Sequence, residues 1–430
     1  MLHTKVTFIL DTIKFYNLFI ESGFQFSTDS RNIPKGCIFF ALKGANFNGN
    51  QFALKALEDG ASYAVIDEEV GNDPRLVKVD DVLTFFQELA NFHRRCFDIP
   101  VIAVCGSNGK TTTKNLMYEV LRKKYKTHCT QGNFNNHIGV PITLLQMPQD
   151  CELAIIELGT NNPGEIADLC KITEPNYGLI TNIGKEHLEG FGTLEAVAKE
   201  ESEIYVWLKN NLGIAFVNED DAHLRRMSRG LDAKVPYTKN TFDRFSVIPS
   251  IEFEHHGEQV KSALMGDYNF DNILTAITVG EYFEVDKKDI KAGIEAYFPD
   301  NNRSQIIEKG SNLIWLDAYN ANPSSMQKAI ENFGKMPQET KVLVLGDMFE
   351  MGEYANQEHD TLLQWIVSQE FKNIFLLGSH FEAIAANSGL KAFENIEELG
   401  AAITQQNFDN TAFLVKGSRG MKMERVVEYI

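Results

Sequence analysis

Short apolar runs alternate with helical patterns along most of the chain, and this alternation predicts an α/β fold. Eight strand-like runs form two series of four. They are 101–105, 153–157, 177–181 and 213–217 in the first series, and 313–317, 341–346, 373–378 and 411–416 in the second. Strands separated by helices usually form parallel sheets with crossover helices. Each series therefore predicts one mainly parallel sheet.

The remaining segments differ from these two series. Up to about Arg95, shorter apolar runs accompany a helical segment and turn residues, which indicates a small α/β domain. Residues 240–266 change to short alternating runs around Gly257, typical of an antiparallel edge, and a helix is expected to start near Tyr268. We therefore expect three domains. They are a small α/β domain at 1–95, a central domain with a mainly parallel sheet at 96–300, and a Rossmann-like domain at 301–430.

Length, composition and charge narrow the function classes. A chain of 430 residues with 43% hydrophobic content can bury two or three cores. Its formal charge of −18 argues against general binding to nucleic acid or anionic membranes, since either needs a basic face. No apolar run approaches the roughly 18 residues that would span a bilayer, and the N-terminal stretch does not resemble a signal peptide. A cytoplasmic protein without membrane insertion is expected.

The six cysteines show no C-x-x-C spacing and mostly lie in apolar runs. Buried free thiols are therefore expected rather than a disulfide framework or a zinc site.

The segment from Val101 to Lys114 carries the strongest chemical signal. A buried apolar run breaks into a loop containing Gly106 and Gly109 and then continues into Lys110, Thr111 and a helical pattern. Such a loop turns backbone N–H groups toward an anion, while the lysine supplies charge and the threonine a hydroxyl ligand for Mg²⁺. The strict phosphate-loop motif has glycine at position 104, where this chain has valine. The segment predicts a variant phosphate loop that binds ATP, with a plain glycine-rich turn as the alternative.

Two further residues follow strand-like runs and suit metal binding. Glu157 ends the run 153–157, and its carboxylate is a hard oxygen ligand of the kind that Mg²⁺ prefers. A solvated strand end is the alternative. His187 follows the run 177–181 and is either a metal or phosphate contact or a structural histidine.

Polar turns follow several other predicted elements. Asn133–Gly139 and Gly159–Gly164 are rich in asparagine, whose amide suits peptide or sugar recognition and equally suits ordinary Asx-turns. Asp317–Pro323, Leu345–Met348 and Lys416–Gly420 end three strands of the last series and are expected to line one cleft.

Together these segments resemble the Mur ligases, over nearly the whole chain. Those that resemble the family's sugar-nucleotide-binding region are Thr28–Arg31 and Phe39–Gly44. Those that resemble its ATPase domain are Gly106–Thr112, Asn133–Gly139 with Pro141, Glu157–Gly159, Asn162–Ile166, Ile180–Gly184 and His187–Gly192. Those that resemble its C-terminal domain are Tyr319–Pro323, Leu345–Met348, Val415–Arg419 and Met421–Arg425.

The resemblance implies roles for residues at matching positions. Residues expected to hold the ATP phosphates are Gly106, Ser107, Asn108, Gly109, Lys110, Thr111 and Thr112. Those expected to contact the rest of the nucleotide or its γ-phosphate are Asn269, Arg303 and Asp317. The expected Mg²⁺ ligands are Thr111, Glu157, His187 and Glu201, and the expected catalytic residues are Lys110, Glu157, His187 and Arg303. Residues expected to bind the other substrates are Ser30, Arg31, Asn133, Asn136, Thr160, Asn161, Tyr319, Asn320 and Asn322.

The resemblance also implies an activity. Tyr319–Pro323 favours the member of the family that adds D-alanyl-D-alanine to a UDP-N-acetylmuramoyl tripeptide. Residues 1–95 would then bind the UDP-sugar, 96–300 ATP, and 301–430 ATP and the dipeptide, in a monomer. The alternatives are another ligase of the same fold, such as folylpolyglutamate synthetase or an earlier Mur ligase, and a regulatory P-loop NTPase that hydrolyses ATP without ligation.

One position departs from the family. Mur ligases usually carry a lysine that CO₂ converts into an anionic metal ligand, and Glu201 stands at the matching position. Glutamate supplies a similar hard oxygen without modification. Lys199, two residues earlier, is the competing candidate, and an exposed helix face is the alternative for both.

Overall fold

The computed structural model describes residues 13–242, 245–248, 250–299 and 302–430. The chain divides into two compact units. The first unit comprises Met1–Val101, His128–Leu158 and Ala167–Pro175, and the second comprises Ile102–Thr127, Gly159–Ile166 and Asn176–Ile430.

The described strands are two to seven residues long. They are β1 (Phe26–Ser27), β2 (Ile38–Phe40), β3 (Lys43–Gly44), β4 (Phe47–Asn48), β5 (Tyr63–Ile66), β6 (Leu76–Lys78), β7 (Val101–Cys105), β8 (Thr127–Cys129), β9 (Leu153–Glu157), β10 (Tyr177–Ile180), β11 (Ile214–Asn218), β12 (Lys234–Tyr237), β13 (Phe245–Ser246), β14 (Ile251–His255), β15 (Glu258–Ser262), β16 (Gln305–Lys309), β17 (Asn312–Asp317), β18 (Thr340–Gly346), β19 (Asn373–Leu377), β20 (Ala392–Phe393) and β21 (Thr411–Lys416).

The α-helices alternate with these strands. They are α1 (13–21), α2 (Ala53–Glu58), α3 (Val82–Arg95), α4 (Lys110–Leu121), α5 (Gly139–Leu145), α6 (Glu165–Thr173), α7 (Leu188–Phe191), α8 (Leu194–Glu201), α9 (Glu203–Asn210), α10 (Ala222–Met227), α11 (Asp267–Tyr282), α12 (Lys287–Ala296), α13 (Pro323–Gly334), α14 (Ala355–Ser368), α15 (Ser379–Ala385) and α16 (Ile396–Thr404). Short 3₁₀ turns occur between them, the longest at Met423–Tyr429.

The first unit contains a parallel sheet with the strand order β1-β2-β5-β6. Its strands pair in parallel because each return crosses over through a helix or loop. Helix α2 covers one face through a buried cluster that includes Phe39, Ala56 and Ile66. This arrangement confirms the small α/β region expected near the N-terminus.

In the second unit, β7, β10, β11 and β12 pair in parallel in the order β12-β11-β10-β7. Helix α4 follows β7 after a short loop and packs against α11 and α12. Strand β7 is buried along its whole length, which explains its unbroken apolar sequence. The parallel sheet predicted for the middle of the chain is therefore confirmed.

The antiparallel segment forms a sheet of its own. Strands β13, β14 and β15 pair in an antiparallel sheet, whereas the sequence indicated an edge of the larger sheet. Alternate residues of β14 are buried, so this sheet has one covered face, and Phe253 packs its ring edge-on against Phe270 of α11. Because one face packs on α11, these three strands can form a separate sheet. Helix α11 begins at Asp267, one residue before the expected start.

The C-terminal sheet has the order β16-β17-β21-β18-β19-β20, and all pairs except β16–β17 are parallel. One face packs against α13, α14 and α15 around Trp315, Phe333 and Leu363. The other face packs against α16 and the last 3₁₀ turn around Leu399 and Met423. Helices on both faces of a mostly parallel sheet give the doubly wound, Rossmann-like architecture that the sequence predicted.

All six cysteines are free thiols, and all except Cys96 are buried, as expected. Among the described helices, none combines the length and apolar character needed to cross a bilayer.

The buried His93 should make the stability of the first unit depend on pH. Its ring is fully buried and its Nδ1 lies 2.8 Å from the Tyr16 hydroxyl, and burial lowers the pKa of His93 to about 4. An unfolded histidine has a pKa near 6.5. Between these pH values the unfolded chain binds a proton that the folded chain does not, so the free energy of unfolding should fall as the pH drops from 6.5 toward 4.

Chemical denaturation at pH 7 and pH 5 checks this expectation. His93→Gln removes the titrating group, so its free energy of unfolding should fall less between these pH values than that of the wild type. The matched control is His137→Gln at an exposed position, which should keep the wild-type pH dependence. Equal pH dependence of all three proteins would contradict the prediction.

Candidate nucleotide and metal site

The loop between β7 and α4 has the backbone of a phosphate-binding loop. Gly106 and Gly109 adopt φ values of +117° and +82°. A Cβ atom at Gly106 would lie 2.3 Å from Thr181 Oγ1, and one at Gly109 would lie 2.6 Å from Asn272 Oδ1. Only glycine satisfies both the backbone conformation and the close packing. The loop ends at Lys110, the first residue of α4, where helix N–H groups favour an anion.

The segment after β10 holds this loop in shape. The Thr181 hydroxyl and the Asn182 amide both donate to the Asn108 carbonyl, at 2.7 and 2.8 Å. Ser107 N donates to the Asn182 carbonyl at 2.9 Å, and Gly184 N donates to the Ser107 hydroxyl at 2.8 Å. These bonds engage the Asn108 carbonyl, the Ser107 hydroxyl and the Ser107 N–H group. The loop is thereby fixed before any ligand binds.

Two buried carboxylates lie beside the loop. Glu201, the last residue of α8, is fully buried, and its Oε2 accepts the Gly106 N–H at 2.7 Å. Glu186 Oε2 lies 3.8 Å from Lys110 Nζ, which also donates to the Gly106 carbonyl. Burial raises the pKa of Glu201 to about 7 and also raises the pKa of Glu186, although the charge of Lys110 opposes both shifts. The two groups therefore need a cation or a proton.

His187 completes this cluster. The residue has φ +45° at the start of α7, and its Nδ1 lies 2.6 Å from Glu350 Oε2 and its Nε2 3.7 Å from Glu186 Oε2. Burial opposes the charged ring, but the hydrogen bond that the ring donates to Glu350 and the charges of Glu186 and Glu350 raise the pKa of His187 overall. The sequence singled out His187 but missed both partners. Glu186 is its direct neighbour, while Glu350 lies far away in the sequence.

The cluster offers ligands that fit Mg²⁺. Oε1 of Glu186 and Oε1 of Glu201 are buried and make no hydrogen bond within the described part of the chain. Buried carboxylate oxygens without a hydrogen bond are suitable ligands for a hard cation such as Mg²⁺. Thr111 is nearly buried at the start of α4. Lys199, the competing candidate for the role of Glu201, is exposed.

The carboxyl ends of the C-terminal strands lie next to the phosphate loop. Asn322 caps α13 and donates through Nδ2 to Asn108 Oδ1 at 2.9 Å. Lys185 N donates to the Ser324 hydroxyl at 2.8 Å, and Lys185 Nζ lies 2.6 Å from Glu358 Oε1. The amide of Asn322, expected to bind substrate, is therefore engaged in helix capping and in the loop contact.

The three polar strand ends are connected to one another by hydrogen bonds and an ion pair. Lys416 Nζ at the end of β21 lies 2.5 Å from Asp317 Oδ2 at the end of β17. Ser418 N donates to the Asp347 carbonyl at 3.1 Å, and Phe349 N donates to the Ser418 hydroxyl at 2.8 Å. These contacts join the loops after β17, β18 and β21 into one rim.

Tyr319 on this rim stacks with two arginines. The Arg303 guanidinium carbon lies 3.4 Å from the centre of the Tyr319 ring, and that of Arg419 lies 4.9 Å from it. Asn320, next to Tyr319, is exposed, and its Oδ1 accepts the Ala321 N–H. Stacking on an aromatic ring holds a guanidinium in place and leaves its N–H donors available.

Asn269, the expected adenine contact, is buried in α11. Its Nδ2 donates to the Met265 carbonyl at 2.8 Å, and its Oδ1 accepts the Asn272 amide at 3.0 Å. Asn272 in turn accepts the Thr113 hydroxyl at 3.0 Å and lines Gly109. In this arrangement Asn269 is connected to the phosphate loop through Asn272, a residue that the sequence did not single out.

The loop 159–164 is held by acidic side chains. The Thr160 hydroxyl lies 3.3 Å from Glu200 Oε1, and Asn161 N donates to Glu165 Oε2 at 2.7 Å. Glu200 also accepts the backbone N–H groups of Gly164 and Ile166. Glu200 was not predicted, since a buried carboxylate near the end of a helix carries no sequence motif.

The remaining site candidates lie in the first unit. Glu157 ends β9, is buried, and its Oε1 accepts the Asn135 amide at 2.9 Å. Asn136 Oδ1 accepts the Ile138 N–H at 3.1 Å, which is the Asx-turn left open as an alternative, and also the Gly139 N–H at 2.9 Å. Asn133 is exposed.

Arg31 lies at the surface near the N-terminal sheet. It pairs with Asp29 through two hydrogen bonds of 2.9 Å, and this pairing lowers the pKa of Asp29 to about 2. Ser30 lies between them in the sequence and is half-buried. The Arg31 guanidinium is open to solvent.

Comparison with known proteins decides the family. The models of the Mur ligase middle domain and of the Mur ligase glutamate ligase domain match residues 104–280 and 302–419. UDP-N-acetylmuramoyl-tripeptide–D-alanyl-D-alanine ligase of Bacillus subtilis is 33% identical, covering 94% of this chain and 92% of that protein. The chain belongs to the Mur ligase family. The Escherichia coli ligase of the same name is also 33% identical, covering 93% of this chain and 92% of its own length.

Solved structures of the family agree with the fold. MurF from Acinetobacter baumannii matches with a TM-score of 0.86 at 29% identity, covering 94% of this chain and 92% of that chain. MurF from Thermotoga maritima in complex with ADP matches with a TM-score of 0.84 at 28% identity, covering 94% and 96%. The family expected from the sequence motifs is thereby confirmed.

Replacing Gly109 by alanine should damage the phosphate loop beyond simple backbone strain. Its φ of +82° is shared by Gly36, where a Cβ atom would meet nothing within 4 Å. Gly36→Ala therefore carries the same backbone strain of about 1 kcal/mol without the clash with Asn272. Gly109→Ala should weaken nucleotide binding at least tenfold, measured by calorimetric titration, whereas Gly36→Ala should bind as the wild type does. Equal affinities would contradict the packing argument.

Proposed function

We propose that this protein is an ATP-dependent amide ligase that joins D-alanyl-D-alanine to UDP-N-acetylmuramoyl-tripeptide, the last cytoplasmic step in making the peptidoglycan precursor. One observation carries the proposal. A preformed phosphate loop lies between buried carboxylates and the polar rim of a second, Rossmann-like sheet. The relatives that cover almost the whole chain carry this ligase's name, and one matching structure holds ADP.

The reaction proceeds through an acyl phosphate and needs no protein nucleophile. The tripeptide carboxylate attacks the γ-phosphorus of ATP and ADP leaves. The dipeptide amine then attacks the acyl carbon, and inorganic phosphate leaves with its bonding electron pair while the amine loses a proton. Catalysis consists of positioning and charge neutralisation.

The phosphate loop and the rim supply the positive groups for this chemistry. Lys110 and the N–H groups at the start of α4 hold the phosphates, together with Thr111 and Thr112. Arg303, held against Tyr319 at 3.4 Å, supplies a charge on the rim side. Because Asn322 and Lys185 tie the rim to the loop, both sets of groups act on one nucleotide and exclude water from the acyl phosphate.

Magnesium would be held mainly by hard oxygen ligands. When bound, it would neutralise phosphate charge and orient the γ-phosphoryl group. The residues proposed to hold it are Thr111, Glu157, His187 and Glu201, to which the orphaned oxygen of Glu186 adds a further candidate.

The other substrates are assigned by the family resemblance. Residues 1–95 would bind the UDP-sugar through Ser30 and Arg31, 96–300 ATP, and 301–430 ATP through Asp317 and the dipeptide through Tyr319 and Asn320. Asn133, Asn136, Thr160 and Asn161 would contact the muramoyl peptide. The protein would act as a cytoplasmic monomer.

A coupled assay with purified protein tests the function. ADP release should require both UDP-N-acetylmuramoyl-tripeptide and D-alanyl-D-alanine, and mass spectrometry should show the pentapeptide product. ATP hydrolysis without either substrate would indicate an NTPase, and turnover with a folate and glutamate would indicate the folate ligase. Running diaminopimelate and lysine tripeptides side by side identifies the third residue.

Lys110→Ala should abolish ligation. Removing the cation leaves the charge of the transferring phosphoryl group uncompensated, which typically costs two to three orders of magnitude in rate, roughly 3–4 kcal/mol. Lys123→Ala, at an exposed position just beyond the same helix, is the matched control and should keep wild-type kcat. Near-normal turnover of Lys110→Ala would refute the assignment of the phosphate loop.

Glu201 should replace the carbamylated lysine as the anionic ligand. Wild-type activity is then expected to be indifferent to bicarbonate depletion, because the carboxylate needs no modification. Glu201→Gln keeps the size of the side chain but loses its charge, so half-maximal activity should require at least tenfold more Mg²⁺.

Lys199→Ala is the control for this experiment, and it should be silent because Lys199 is exposed. Activity that depends on bicarbonate and is lost in Lys199→Ala would transfer the role to Lys199. A silent Glu201→Gln would remove the role from Glu201.

A further inference from the structure

Two histidines and a glutamate meet at a position that the ligase reaction does not use. His255 ends β14, His256 follows in the hairpin turn, and Glu281 is the penultimate residue of α11. One nitrogen or oxygen atom from each residue lies within 4.8 Å of those of the other two. His255 Nε2 lies 3.1 Å from Glu281 Oε1, and His256 Nε2 lies 2.8 Å from the same oxygen.

The hairpin backbone explains why neighbouring histidines converge. Successive side chains of a strand point to opposite faces. Here His256 and Gly257 adopt φ values of +52° and +80°, the two positive values of a tight two-residue turn. His255 pairs with Glu258 across this turn. The reversal of the chain brings the two rings to a centroid distance of 4.3 Å.

The three side chains differ in solvent exposure, as they do in a metal site that is open on one side. The His255 side chain is 7% exposed and stacks on Phe242, whereas His256 and Glu281 are 41% and 46% exposed. One ligand is thus fixed by packing, and two can adjust from the solvent side. A cation would enter from solvent without any opening of the fold.

We propose that His255, His256 and Glu281 bind a divalent transition-metal ion of the zinc class, with water as the remaining ligand. Imidazole nitrogen and carboxylate oxygen are ordinary Zn²⁺ ligands, and Zn–N and Zn–O bonds are about 2.0–2.2 Å. Tetrahedral geometry then places ligand atoms roughly 3.4 Å apart. The two nitrogen–oxygen separations, 3.1 and 2.8 Å, are shorter than this value, and all three ligand atoms lie within 4.8 Å of one another. Side-chain rotations would therefore bring them to tetrahedral spacing. Mg²⁺ is disfavoured because it prefers oxygen ligands, whereas two of the three groups here are imidazoles.

Bound metal would join the hairpin to the end of α11. The opposite end of α11 carries Asn269 and Asn272, the latter in contact with Gly109. The ion would therefore stabilise the position of a helix that lines the phosphate loop, without contacting the nucleotide. This role is independent of the ligase reaction, whose assay succeeds or fails separately.

Titration calorimetry of the full chain, first treated with a chelator, tests the site. With Mg²⁺ and ATP in excess to fill the nucleotide site, the wild type should bind one equivalent of Zn²⁺, and Zn²⁺ should raise the melting temperature. Co²⁺ should give the visible absorption bands of a low-coordinate site. His256→Asn tolerates the positive φ of the turn. His256→Asn and Glu281→Gln should each weaken Zn²⁺ binding at least tenfold, because each removes one ligand.

Glu254→Gln is the matched control, because it removes a carboxylate from the exposed face of the same hairpin. It should bind Zn²⁺ as the wild type does. All the positions changed are solvent-accessible, so the variants should fold, which circular dichroism verifies. Absence of Zn²⁺ binding by the wild type, or undiminished binding by His256→Asn and Glu281→Gln, would overturn the proposal and leave the cluster as a hydrogen-bonded one.

Discussion

Buried negative charge beside the phosphate loop is the constraint around which this part of the molecule is organised. Glu186 and Glu201 are both removed from water, and Lys110 is the cation whose charge acts on both. A buried carboxylate is costly unless it is protonated or paired with positive charge. The raised pKa values of both groups express this cost. A divalent cation bound together with the nucleotide would offset the cost of burying these carboxylates. Their negative charges would therefore favour binding of the metal–nucleotide complex.

The phosphate loop keeps its conformation because other segments bond to its polar groups. Thr181, Asn182 and Gly184 bond to the carbonyl and hydroxyl groups of the loop, and Asn322 bonds to the side chain of Asn108. A loop fixed in this way loses little entropy when phosphate binds. The Asn322 bond also makes the C-terminal rim part of the support, so loop geometry and the position of the rim are coupled.

The sequence predicts the central parts of the fold well, because buried parallel strands are continuous apolar runs. Val101–Cys105, Leu153–Glu157 and Thr411–Lys416 have the predicted bounds. Two strands at the edges of the sheets were not predicted. Lys234–Tyr237 contains a proline and exposed residues, and Gln305–Lys309 is at most half-buried, so neither has an apolar pattern.

The same distinction applies to the site. Gly106, Gly109 and Lys110 belong to one local motif whose spacing has a physical meaning, and the structure places them as the motif requires. Glu350 reaches His187 from 163 positions away, a distance in sequence set by the packing of β18 and the loop after it. No periodicity encodes such a contact. Glu186 could have been found, since it precedes a candidate ligand in a polar strand end.

The proposed role of Glu201 has a structural consequence that a lysine-derived ligand would not share. A lysine carbamate would stand on a longer stem than glutamate does. The shorter glutamate already accepts the Gly106 N–H at 2.7 Å through one oxygen, while its other oxygen makes no hydrogen bond within the described residues. One carboxylate would then connect the metal to the backbone of the phosphate loop. Because the charge on that carboxylate strengthens both contacts, metal binding and loop conformation would be coupled through a single side chain.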